Sequence, residues 1–311
     1  MTALTVGVIG LGAFGSRIAL RLLWNGYHTL QLYDVDDVST RQFTNDYGGL
    51  TTGSPKMMAQ TCDAVITVLP SAAELREVCF GWESLAKGFG EGGIVIDVGI
   101  TDPLETVTIA RELAARGIDF VDAPAFGTPA EAKEGKLTMI VGGEGRAVER
   151  CRSVLETLAR KVLRAGAPGS AQATSAIADY LRGAELMAVS EAIRLGERLG
   201  FEPSFVLSMS EELGQADLHT VVLQEVVTRR FRSGTSLGMI RKNIELAAKL
   251  ATALQVRAPM LEATRRAWGD AETELGSGAD HTVVIKWLES LQLSSEAARE
   301  EPDTIGGTAT G

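Results

Sequence analysis

One glycine turn constrains this chain more than any other feature. The apolar run Leu4 to Ile9 leads directly into Gly10-Leu11-Gly12-Ala13-Phe14-Gly15, and an apolar-periodic segment, Ile18 to Trp24, follows. Strand, glycine turn and helix in that order form the context of a dinucleotide fingerprint. Gly10 permits the tight turn, Gly12 lets the backbone approach a pyrophosphate, and Gly15 lets the helix pack close on the strand. The helix N-terminus then offers unpaired N–H groups to the phosphates. Leu11, Ala13 and Phe14 belong to the same cradle.

A second strand, Thr29 to Tyr33, ends at Asp34. A carboxylate about 20 residues past the glycines is where the ribose hydroxyls of NAD bind. Asp36 and Asp37 follow, and no Lys or Arg appears before Arg41. A 2′-phosphate would meet negative charge, so the pattern favours NAD over NADP. The plainer alternatives are a Rossmann unit for a flavin or another nucleotide, or a glycine turn that binds nothing.

The 311 residues suit two domains. A net charge of -10 and the lack of a long basic run argue against nucleic acid or an anionic membrane as partner. Cys62, Cys79 and Cys151 are scattered and odd in number, without metal-ligand spacing, which fits a reducing cytoplasm and no metal site. Met1-Thr2-Ala3 passes straight into the first strand, so a soluble cytoplasmic protein is expected.

Short apolar runs alternate with helical segments through the first half, the pattern of a parallel sheet. Further strands are expected at Ala64 to Leu69, Ile94 to Val98, Ile118 to Val121, Leu137 to Val141 and Val162-Leu163. The expected fold is an α/β Rossmann domain, a mostly parallel doubly wound sheet over residues 1–166. An all-α helical domain over 167–292 and a disordered tail over 293–311 complete it. Ser170 to Leu199 reads as one long helix. Its apolar residues, among them Ile177, Leu181, Leu186, Ile193 and Leu195, fall on most faces, which predicts burial nearly all round. Helices are also expected at Pro203 to Leu213, Leu218 to Arg230, Leu237 to Leu254, Pro259 to Leu275 and Thr282 to Leu291. Trp24, Trp82, Trp268 and Trp287 read as packing residues, and His28, His219 and His281 as isolated histidines.

Taken together, several stretches resemble the β-hydroxyacid dehydrogenase family, which includes the 3-hydroxyisobutyrate dehydrogenases. They are Gly10–Gly15, Val68-Leu69-Pro70, Asp97 through Pro103, Asp122-Ala123-Pro124, Gly142-Gly143, Gly166…Gly169 and Lys242. The resemblance implies cofactor contacts at Leu69, Pro70 and Lys242, substrate contacts at Phe126, Gly127 and Thr128, and a homodimer through the helical domain.

The departures from that pattern bear on the chemistry. The family's catalytic lysine lies early in the long helix with an asparagine one turn later; Ser175 and Asp179 stand there. Gly99-Ile100 replaces a Ser-Thr pair, Phe126-Gly127-Thr128 replaces Ser-Gly-Gly, and Lys242-Asn243 replaces Lys-Asp. Ser175 and Asp179, at i and i+4, share one helix face. An ionised Asp about 5 Å from a substrate carboxylate would oppose it by ~3 kcal/mol at an effective dielectric of ~20. Asp179 therefore acts either as an acid raised by burial or as an anion that favours a cationic substrate. Three functions follow from this pattern. One is an NAD-dependent oxidoreductase of small carbonyl or hydroxy substrates, with Asp179 and Ser175 in place of the lysine. The second is an imine- or amine-directed reductase, and the third a cofactor-binding protein without catalysis.

Overall fold

The computed structural model describes residues 4–212 and 223–297. Two compact units make up the chain, one of residues up to Ala178 with Lys249–Gln255, the other of Asp179–Ala248 with Val256 onward.

The first unit is a nine-stranded sheet of order β3-β2-β1-β4-β5-β6-β8-β7, with β9 also paired to β8. Its strands are β1 (Val6–Ile9), β2 (Gln31–Tyr33), β3 (Leu50–Thr51), β4 (Ala64–Thr67), β5 (Ile94–Asp97), β6 (Asp119–Asp122), β7 (Ala125–Phe126), β8 (Leu137–Gly143) and β9 (Ala159–Gly166). The first six run parallel, and β8 lies antiparallel to β6. Alternate side chains of the central strands enter opposite cores. Val6, Val8, Ile66 and Ile96 pack with Ile18, Leu22 and Val154, while Ile9, Val65 and Val95 pack with Met58, Leu75, Ile109 and Leu113. A strand buried on both faces has no polar side, which is why these read as unbroken apolar runs.

Eight helices cover the sheet: α1 (Gly15–Trp24), α2 (Asp37–Tyr47), α3 (Pro55–Ala59), α4 (Ala72–Phe80), α5 (Leu85–Gly88), α6 (Pro103–Ala114), α7 (Pro129–Glu134) and α8 (Gly145–Leu158). Side chains of Asp36, Ser54, Ser71, Asp102 and Thr128 cap five of them. The order reverses at β1, whose neighbours are β2 and β4. Ligands bind such sheets at the carboxyl ends of strands beside that reversal.

α9 (Ser170–Arg198) leads into the second unit, which also holds α10 (Pro203–Glu212), a π-helical turn Leu223–Val227, α11 (Leu237–Ala253), α12 (Pro259–Leu275) and α13 (Val284–Ala297). Leu186, Ile193, Ile240, Ile244, Trp268 and Trp287 are buried there. Gly183 leaves room on α9 for α12, and Trp268 Nε1 donates to its carbonyl oxygen at 3.1 Å.

Four expectations need correction. Ile177, Leu181 and Leu195 are exposed rather than buried, and together with exposed Ala188 they form one stripe of α9. Trp24 and Trp82 are exposed, lying under the Lys133 and Lys87 ammonium groups at 4.9 and 5.2 Å, a cation–π arrangement that keeps a ring at the surface. α13 continues to Ala297, so residues 293–297 are helix rather than tail, each added residue extending an already nucleated ladder. His281 is not isolated: its Nδ1 lies 2.9 Å from Ser233 Oγ and 3.3 Å from the Thr235 carbonyl oxygen. His219 and part of the expected helix Leu218 to Arg230 lie outside the described residues.

Candidate active site

β1 ends in the glycine turn. Gly10 has φ +95°, and a Cβ there would lie 2.3 Å from the Val68 carbonyl oxygen. A Cβ on Gly15 would lie 1.9 Å from the Gly10 carbonyl oxygen, so α1 can begin this close to β1 only with glycine. At Gly12 a Cβ would meet nothing within 4 Å, leaving that side of the turn open to a ligand. The α1 N-terminus has no side-chain cap and no acid in its first turn. Its dipole and free N–H groups therefore suit an anion.

Asp34 sits directly beyond β2 and accepts from Leu11 N–H at 2.6 Å and Asp36 N–H at 2.9 Å. The carboxylate thus fixes the turn. Arg41, the nearest cation downstream, is engaged by Asp37. Leu69 closes the other side; its side chain would lie 3.6 Å from a Gly10 Cβ, and its carbonyl oxygen 2.7 Å from a Gly99 Cβ. These residues fit a dinucleotide.

Beside this cradle, the ends of β5 and β6 carry two buried carboxyls. Asp97 Oδ1 accepts from Thr67 Oγ1 at 2.9 Å and Gly99 N–H at 3.2 Å, and its Oδ2 from Thr101 Oγ1 at 2.8 Å. Burial pushes the Asp97 carboxyl up to about 6, against the pull of the Thr101 and Thr67 hydroxyls. Asp122 accepts three backbone N–H groups at the start of α9, from Gly169 at 2.9 Å, Ala171 at 3.0 Å and Gln172 at 3.1 Å. Burial raises Asp122 while those N–H groups draw it back. The Gln172 side chain joins the two carboxyl networks. Its Nε2 donates to the Gly99 carbonyl oxygen at 2.7 Å, and its Oε1 accepts from Thr101 N–H at 3.2 Å.

Ser175 and Asp179 stand one turn apart further along α9, and both are buried, at 4% and 5% exposure. Within the second unit, Asn243 Nδ2 donates to Asp179 Oδ2, and Arg182 Nη1 lies 3.4 Å from Asp179 Oδ1. Burial raises the Asp179 carboxyl, with Arg182 and Asn243 opposing the rise. Lys242 is half-buried on α11. Phe126 is half-buried on β7, Gly127 has φ +145°, and Thr128 closes a capping box with Glu131 at the start of α7. The Thr128 hydroxyl is therefore committed to that cap.

Gln172 and Asn243 were absent from the sequence-derived site. Asn243 had a signal. Against the family pattern that the sequence resembles, an aspartate at 179 and an asparagine at 243 are reciprocal departures, as expected of two side chains in contact. Gln172 had none, because its partners lie more than seventy residues away.

Comparison with known proteins agrees with this geometry. Residues 5–166 match the family model described as the NAD binding domain of 6-phosphogluconate dehydrogenase. Residues 169–288 match the model described as the NAD-binding of NADP-dependent 3-hydroxyisobutyrate dehydrogenase. The 2-hydroxy-3-oxopropionate reductase of Escherichia coli (strain K12) is 25% identical over 287 residues, covering 92% of this chain and 97% of that protein. Among solved structures, a Mycobacterium tuberculosis 3-hydroxyisobutyrate dehydrogenase with L-serine superposes with TM-score 0.85 at 22% identity, over 92% of this chain and 99% of the other. An imine reductase from Myxococcus stipitatus in complex with NAD+ superposes with TM-score 0.63 at 18% identity, over 92% and 100%. With both family models matched in sequence order across the two units, the chain belongs to the β-hydroxyacid dehydrogenase family of NAD(P)-dependent oxidoreductases.

Proposed function

We propose that this oxidoreductase interconverts a small hydroxy substrate and its carbonyl, with Asp179 moving the proton that the family's lysine would move. A nicotinamide cofactor, when bound, would supply or accept the hydride. The observation that carries the reading is a buried carboxyl, raised by that burial, at position 179. An acid that keeps its proton nearer neutrality can protonate a developing alkoxide. Uncharged, it also removes the repulsion that an anion would exert on a substrate carboxylate. Ser175, one turn away, is a neutral hydroxyl suited to orienting the substrate oxygen. Phe126 and the Gly127 backbone are the proposed substrate contacts, and Leu11 through Phe14, Leu69, Pro70 and Lys242 the proposed cofactor contacts.

NAD is the proposed preference. Asp34, Asp36 and Asp37 gather three carboxylates just beyond β2, which would oppose a 2′-phosphate bound there, and Arg41 is engaged by Asp37. A homodimer is proposed through the apolar stripe of α9, which exposes Ile177, Leu181 and Leu195.

The test is an NADH-linked assay of parent, Asp179→Asn and Ser175→Lys against β-hydroxy acids, their oxo forms and cyclic imines. Losing a general acid costs about 10²–10⁴ in rate. Asp179→Asn should lower turnover by that order and leave NADH affinity nearly unchanged. Unchanged turnover in Asp179→Asn on the best substrate retires the assignment. A parent chain that binds NADH and turns over none of these substrates would favour a binding protein.

A further inference from the structure

The pairing around Asp179 leaves a specific imbalance. Asn243 Nδ2 donates to Asp179 Oδ2, which satisfies one oxygen of the carboxyl. The other carboxyl oxygen, Asp179 Oδ1, and the amide oxygen, Asn243 Oδ1, are both buried without a hydrogen-bond partner. Asn243 is 1% exposed, so bulk water does not supply one. An ionised carboxylate and an amide oxygen are acceptors only. Each of the two paired side chains thus carries one acceptor without a hydrogen-bond donor, and a single proton on the carboxyl would serve both. A carboxylic acid and a carboxamide are complementary in this sense: N–H donates to one acid oxygen while the acid O–H donates to the amide oxygen.

We propose that Asn243 holds Asp179 as a neutral acid, the two side chains acting as one acid–amide pair, and that Asn243 is thereby the positioning residue for the proton donor. The proposal rests on the reading of Asp179 as that donor. Burial shifts Asp179 toward the neutral acid; the Asn243 N–H taken alone draws it back, so it is the acid O–H given to the Asn243 amide oxygen that makes the pair favour the protonated form. Arg182 on the same helix is the charged group recorded against Asp179 among the described residues, at 3.4 Å and off hydrogen-bonding geometry. Its side chain is 43% exposed, so solvent screens its charge. His281, buried in the same unit, is held toward its neutral form by that burial, with Arg182 adding to the effect.

Two measurements test this. The first is thermal melting of parent and Asp179→Asn from pH 5 to pH 8. Asparagine mimics the protonated acid. A carboxyl that binds its proton more tightly when folded stabilises the fold fully below its unfolded pKa, and loses that contribution as pH rises through the folded value. Parent and variant should therefore lie closest at the acid end of this range, with the parent falling progressively below the variant toward pH 8. A parent that gains on the variant as pH rises overturns the proposal, since Asp179 would then be an anion held by Arg182.

The second measurement is the pH dependence of kcat for reduction of glyoxylate, the simplest aldehyde acid, by parent and Asn243→Asp. A second carboxyl facing the first, with the amide N–H removed, disfavours the anion of Asp179 on both counts. The basic limb should move to higher pH by on the order of one unit. A limb that stays in place while Asp179→Asn abolishes turnover overturns the role of Asn243 and leaves Asp179 as donor. Turnover that survives Asp179→Asn instead removes the donor reading, and the melting profiles still decide whether the pair is neutral.

Discussion

Gln172 Nε2 donates to the carbonyl oxygen of Gly99 at 2.7 Å, tying the first turn of α9 to the loop that leaves β5. The same side chain accepts from Thr101 N–H, so one amide holds the loop by both of its polar atoms. Gln172→Leu leaves Gly99 O and Thr101 N–H buried without partners. Each such group costs about 1–3 kcal/mol. The variant should unfold at a clearly lower guanidinium midpoint than the parent, while Gln172→Ala should lose as much or more. A midpoint within error of the parent contradicts the coupling.

Asp97 gives a pH dependence of definite sign. Its folded carboxyl is pushed up to about 6, above its ordinary value, by complete burial. The associated stability is present below the unfolded value near 4 and is lost as pH rises through about 6. The difference corresponds to on the order of 3 kcal/mol across that window. Denaturant midpoints at pH 4.5, 6 and 7.5 should fall less steeply in Asp97→Asn than in the parent, because the variant has no proton to lose at that position.

Asp34 anchors the glycine turn in addition to its proposed role at the ribose, which sharpens the expected phenotype of Asp34→Ala. NADH affinity should fall, measured by fluorescence titration, because the Leu11 N–H loses its acceptor and the ribose its partner. NADPH affinity should fall less or rise, because a repelling charge is gone. The parent should bind NADH more tightly than NADPH; equal affinities contradict the preference.

The exposed stripe of α9 predicts the mass in solution. Light scattering at micromolar concentration should give at least twice the 33.0 kDa chain mass. Leu181→Glu combined with Leu195→Glu should return it to one chain, since both leucines are more than half exposed on a single copy. A parent that scatters as a monomer removes this assignment.

The cofactor cradle was legible in the sequence because its logic is local. Gly10, Gly12 and Gly15 lie within one turn, and Asp34 follows a single helix later, so spacing alone brings them together. β9 was only glimpsed, as Val162-Leu163, because Arg160, Lys161 and Arg164 give it the charged surface of a strand at the sheet margin. The stripe on α9 was misread for a different reason. Periodicity reports which residues are apolar, not whether their own chain covers them. The Asp179–Asn243 pair spans 64 positions, beyond any window in which period or propensity carries information. Its trace was chemical, the exchange of an acid and an amide between two positions.

The grip of Asp122 on α9 has a consequence for how this scaffold accommodates new chemistry. All three of its partners are backbone N–H groups, which every residue except proline possesses. This hold on the helix N-terminus therefore does not depend on the side chains that follow Gln172 along the helix. A lysine, a serine or an aspartate can occupy the next turns while the cap still sets the helix against the sheet. Substitutions at positions 175, 179 and 243 should leave this cap in place, so any stability they lose arises from their own burial and not from the seating of the helix.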